Sequence, residues 1–136
     1  MKRAVMLLAI LAIVGFAWAQ EARTPKFSLG FDMPTFSWVT SDEAGNVTKL
    51  TGVNLALGFS YRSYFQPLAP QSGAGYWEAG TILLLDPYVG VGYDYRVNES
   101  LYVGGGLDVY PIHALMGGYG LAFTFIPNLH VGVYLF

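Results

Sequence analysis

Cysteine is absent from all 136 residues. A small exported domain without disulfides must be held together by packing and backbone ladders, and thiol nucleophiles and thiol-based metal sites are excluded. Charge is scarce as well: Asp, Glu, Lys and Arg make up 12% of the chain, about half the usual share. Seven basic residues against nine acidic ones leave no basic patch for a nucleic-acid partner. Histidine occurs at His113 and His130, neither with a nucleophile or a second metal ligand at close spacing, so no catalytic or metal site is expected. No cofactor is expected either. The glycine clusters at 90–92, 104–106 and 117–120 contain neither GxGxxG nor a trailing Gly-Lys-Ser/Thr, which argues against a phosphate loop.

What is present begins with an export signal. Lys2 and Arg3 precede an apolar run, and Ala17-Trp18-Ala19 is a small-x-small cleavage site. The run from Ala4 to Ala19 falls short of the roughly 20 apolar residues a spanning helix needs. Residues 1–19 are therefore expected to be removed, leaving residues 20–136 as one domain of formal charge −4.

Beyond the signal, helical periodicity gives way to alternation. Strands are expected at 26–40, 49–62, 76–85, 88–97, 101–110, 117–126 and 129–136, with an eighth hidden in the first segment, where the apolar parity switches near Pro34. Asp86-Pro87, Asn98-Glu99-Ser100 and Pro127-Asn128 read as tight turns. Longer connections are expected at 41–48, 63–75 and 111–117, the second of them mobile for its prolines and glycines.

Five of these strands share one design, typified by "PYVGVGYDYRV" at 87–97. Its odd residues, from Val89 to Val97, are apolar or aromatic, and its even ones are mostly small or charged. A soluble sheet turns Thr, Lys, Glu or Ser toward water. Here the second face carries Gly58, Gly90, Gly92, Gly104, Gly106, Gly118, Gly120 and Gly132. Interior strand glycines cost about 0.5–1 kcal/mol each, so a demand for small volume is the better explanation. A narrow closed barrel makes that demand. The apolar set then faces outward into hydrocarbon, and Arg62, Asp94, Arg96 and Asp108, joined by Glu78, form a structural charge network in the lumen. Ten-residue strands match the roughly 9–11 residues of a tilted bilayer crossing, and Tyr61, Tyr93, Tyr95, Tyr119, Phe125, Trp38 and Trp77 supply material for aromatic belts.

The pattern resembles small bacterial outer-membrane β-barrels of the eight-stranded kind, and the terminal "YLF" resembles the signal that barrel-assembly machinery recognises. The apolar parity runs through Leu135 rather than Phe136, a departure from that family. The resemblance implies an all-β, up-and-down antiparallel transmembrane barrel of about eight strands, located in the bacterial outer membrane. Its partners would be outer-membrane lipid and, through Phe136, the assembly machinery, with homo-oligomers left open. The function expected is structural, adhesive or envelope-related, and non-enzymatic. Two alternatives stand beside it: a soluble exported barrel in the periplasm or outside the cell, enclosing an apolar ligand with its apolar face inward, and a lipid-modifying enzyme using a histidine.

Overall fold

The computed structural model describes residues 24–31, 33–115 and 125–136. The expected export signal lies outside them. Among the described residues eight strands follow one another: β1 (Phe27–Gly30), β2 (Phe36–Ser41), β3 (Val47–Val53), β4 (Phe59–Leu68), β5 (Ser72–Ile82), β6 (Asp86–Arg96), β7 (Leu101–Val109) and β8 (Phe125–Leu135). A short helix, α1 (Pro111–Leu115), follows β7. Each strand is antiparallel to the next, and β8 returns to pair with β1, so the barrel closes within one chain.

Followed once round the wall through its paired residues, a ladder starting at Phe27 returns to the line of β1 about ten residues further on. With a strand spacing near 4.8 Å and a rise near 3.3 Å per residue, that stagger tilts the strands by roughly 40° and sets a wall radius of about 8 Å. Such a lumen has room for side chains and little else.

The side chains are sorted accordingly. On β6, Val89, Val91, Tyr93 and Tyr95 are exposed, whereas Tyr88, Asp94 and Arg96 are buried. Leu107, Val131 and Leu135 also face out, opposite buried Tyr102, Asp108, His130 and Tyr134. The inner glycines answer to volume: a Cβ on Gly92 would collide with the Tyr76 ring crossing the lumen, and one on Gly132 with Tyr102. The arrangement with the apolar set turned inward around a ligand is therefore not the one this chain adopts.

Several expected boundaries are corrected. The segment 26–40 is two strands, β1 and β2, separated by a turn containing Pro34. The segment 49–62 is also two, because Val53 pairs with Phe59 across the turn at 54–58. That even separation keeps odd residues outward on both strands, so the alternation passes through the turn unbroken. Asn54 shapes it: its Oδ1 accepts the Gly58 N–H at 2.9 Å, and its Nδ2 donates to the Thr81 carbonyl at 2.9 Å. The stretch 63–75, expected as a mobile loop, is mostly strand, with β4 reaching Leu68 and β5 starting at Ser72. Pro67 is tolerated because the β3–β4 ladder bulges there, Lys49 pairing with Ser63 and Val47 with Leu68. Pro127-Asn128 lies inside β8, where Pro127 pairs with Leu107 and, among the described residues, has no strand on its other side, since β1 ends at Gly30. Asp86-Pro87 begins β6, and the chain reverses over Leu83–Leu85 instead. The expected connection 111–117 begins with α1, and the expected strand 117–126 falls largely outside the described residues.

The two rims differ in chemistry. The rim holding the chain ends has polar reversals, such as the one at 42–46, where Asp42 Oδ1 accepts the backbone N–H of Ala44 and Asn46. A hydrogen bond from the Asn46 side chain also holds the Asp42 carboxyl below its ordinary pKa. The opposite rim exposes Phe31, Leu55, Leu57, Leu83, Leu84, Leu85 and Leu115. Leu83 and Leu84 have φ of 50° and 61°, and the Leu85 N–H donates to the Ile82 carbonyl at 3.0 Å. Positive φ at both central residues is the requirement of a type I′ turn, which favours Asn-Gly because bulky residues are strained there.

Candidate functional site

Alternation places the charged residues of β4 to β7 on the inner face, and the narrow radius brings Arg62, Glu78, Asp94 and Asp108 close together. Arg62 of β4 stands at the centre. Its Nε donates to Glu78 Oε2 at 2.8 Å, and its Nη2 lies 2.6 Å from the same oxygen. Nη1 donates to Asp94 Oδ2 at 3.1 Å and Nη2 to the Met33 carbonyl at 2.7 Å. The guanidinium carbon lies 4.0 Å from the centre of the Tyr76 ring, a cation–π contact.

Asp94 gathers the next partners. The Tyr64 hydroxyl donates to its Oδ2 at 2.6 Å, and His130 Nε2 lies 2.6 Å from its Oδ1. On the other side of the ring, Nδ1 is 3.1 Å from Asn128 Oδ1, and Asn128 Nδ2 donates to Asp108 Oδ2 at 2.8 Å. Both ring nitrogens face an oxygen, and Nε2 also lies 3.3 Å from Arg62 Nη1. One bonded chain thus runs Glu78–Arg62–Asp94–His130–Asn128–Asp108. Taking such charges out of water costs several kcal/mol per ion, and their attraction offsets this only because the partners are in place.

Of the four charges assigned to the lumen network from sequence, the structure brings Arg62, Asp94 and Asp108 together, the last through Asn128. Glu78 joins them. Arg96 stands apart near the chain-end rim, donating to the carbonyls of Leu68, Asn98 and Glu99 and pairing with Glu99 Oε2 at 3.2 Å. Tyr64, Asn128 and the bridging role of His130 were missed. The inward parity of His130 was legible, but its partners lie on other strands. His113 falls in α1, and its side chain is outside the described residues. Phe136 packs against the buried lumen cluster rather than joining the outer skin.

Two carboxylate oxygens stand out. Glu78 Oε1 and Asp108 Oδ1 are buried and have no hydrogen-bond donor among the described residues. Both side chains crowd Gly90, where a Cβ would strike Asp108 and press on Glu78. Toward the apolar rim, a cavity of about 370 Å³ opens beside Asp108 and Asn128. Among the described residues no group of three His, Cys, Asp or Glu side chains is placed to hold a metal ion.

No family model, no curated protein and no solved structure matches this chain.

Proposed function

We propose that this protein is a membrane-embedded β-barrel of the bacterial outer-membrane kind, with a packed lumen and a structural or surface-contact role in the envelope rather than an enzymatic one. The observation that carries the reading is the inversion of the usual sorting. Arg62, Glu78, Asp94 and Asp108 are buried, while Leu29, Trp38, Phe59, Val91, Leu107 and Val131 are exposed around the wall. Monomeric soluble proteins rarely expose contiguous apolar surface beyond a few hundred Å².

Dimensions support it. The eleven residues of β6 climb roughly 25 Å along the barrel axis at the tilt derived above, the height of the apolar band on barrels of this type. Tyr93 and Tyr95 lie toward the chain-end rim, which suits an interfacial belt there. The leucine rim extends the apolar skin over the opposite end. Keeping Leu83 and Leu84 exposed at positive φ costs about 1–3 kcal/mol each, a strain that makes sense if that end sits in an apolar phase. Recognition of Phe136 by assembly machinery belongs, on this reading, to the chain before closure, since in the folded barrel Phe136 packs against the lumen cluster.

Cell fractionation tests the proposal. The protein should stay with the envelope until detergent is added, and should migrate differently on a denaturing gel before and after heating. Release with the periplasmic contents in the absence of detergent would refute it.

A further inference from the structure

Among the described residues the wall of the barrel is incomplete at one place. β8 has eleven residues and β1 four, so β1 pairs with β8 at Gly132–Leu135 and its last contact is the Phe31 N–H to the Val131 carbonyl. From Phe125 to His130, β8 is bonded among the described residues to β7 alone. The cavity beside Asp108 opens at this notch. Phe31, Leu55, Ile126 and Leu129 give it apolar walls, and Leu129 is 91% exposed. Asp108 and Asn128 give it a polar floor.

The floor holds a hydrogen-bond acceptor. Asp108 is 96% buried, with Oδ2 occupied by Asn128 and Oδ1 without a donor, and Glu78 beside it also has an oxygen without one. Asp108 is the carboxylate of this network that lines the notch. The volume lies at the small end of the range for ligand pockets, enough for one short chain and its head group.

We infer that this notch binds a single-chain amphiphile with an ammonium head, the head at Asp108 and the chain lying across Leu55, Ile126 and Leu129. Lateral entry from a bilayer rests on the membrane reading above; the selectivity for charge does not.

Octylammonium, octanol and octanoate, each titrated into the folded protein in a non-ionic detergent, test the inference, with the melting temperature followed by circular dichroism. Octylammonium should stabilise the barrel and bind about tenfold or more tightly than octanol, and octanoate should bind least. Asp108→Asn should abolish the preference for the cation. Ala56→Trp fills the notch from the 54–58 turn without touching a carboxylate, and should abolish binding of all three. Equal responses to the three probes, or undiminished octylammonium binding in Ala56→Trp, would overturn the site. If Asp108→Asn does not fold, Ala56→Trp and the ranking of the probes decide. A protein released without detergent that still selects octylammonium defeats the membrane reading and leaves the site standing. One retained by the membrane that does not discriminate defeats the site alone.

Discussion

Replacing Arg62 with Met keeps much of the side-chain volume and removes the charge from the centre of the lumen. Three acceptors lose a donor: Glu78 Oε2, Asp94 Oδ2 and the Met33 carbonyl. They are not stranded equally. Asp94 keeps Tyr64 and His130, whereas Glu78 has no other donor among the described residues and its second oxygen already lacks one. Breaking a buried pair by removing one partner costs about 3–5 kcal/mol, and most of that penalty should reside on Glu78. Arg62→Met should therefore lower unfolding free energy by about 3–5 kcal/mol, and adding Glu78→Gln should restore more than half of the loss. Adding Asp94→Asn should restore little, because it weakens the acceptor for both Tyr64 and His130. The assay is urea unfolding in detergent, followed by tryptophan fluorescence over a full double-mutant cycle. A loss below about 1 kcal/mol for Arg62→Met, or equal rescue by the two second substitutions, would refute the reasoning.

Gly104→Ala places a Cβ against Asp94 and within 2.6 Å of His130 Nε2, so it should cost about 1–3 kcal/mol, whereas Gly105→Ala meets the Asn128 carbonyl and the Leu129 side chain, both at 3.0 Å, and should cost less; unfolding curves of the two variants decide. Val91→Arg should lower stability in lipid vesicles by about 2–4 kcal/mol if this outward position lies near the bilayer midplane, and Thr40→Arg near the chain-end rim by much less. Leu83→Asn combined with Leu84→Gly relieves two strained residues and should leave the barrel at least as stable in detergent, yet slow its insertion into vesicles; wild-type insertion kinetics would remove the rim from the proposal. Because the Asp42 carboxyl titrates below the usual aspartate range, its support for the 42–46 turn is present above the ordinary value and fades as pH falls through the lowered one, which the Asn46 amide resonances should report.

Much of the architecture was legible because alternation is a local signal with a global meaning. The outward set from Val89 to Val97 and the inward Arg62, Asp94 and Asp108 followed from parity and from where glycine sat. Strand ends were harder, since the same parity that fixed the faces concealed the turn at 54–58. Pro67 and Pro127 misled for a different reason: a proline forbids a strand only where its missing N–H is needed, and the bulge opposite Thr48 and the short β1 could not be seen from the chain. The network was half visible. Which residues entered the lumen was written in the pattern, but the joining of Asp94 to His130 depends on a closure that no single strand encodes.

That closure has a consequence for how the molecule is made. Phe27 and Leu135 are more than a hundred residues apart in sequence yet face each other across the final ladder. The seam cannot form until the ribosome has released the last strand, so every shorter nascent species carries two unsatisfied edges open to pairing with strangers. A chain built this way completes its wall only when its two ends meet.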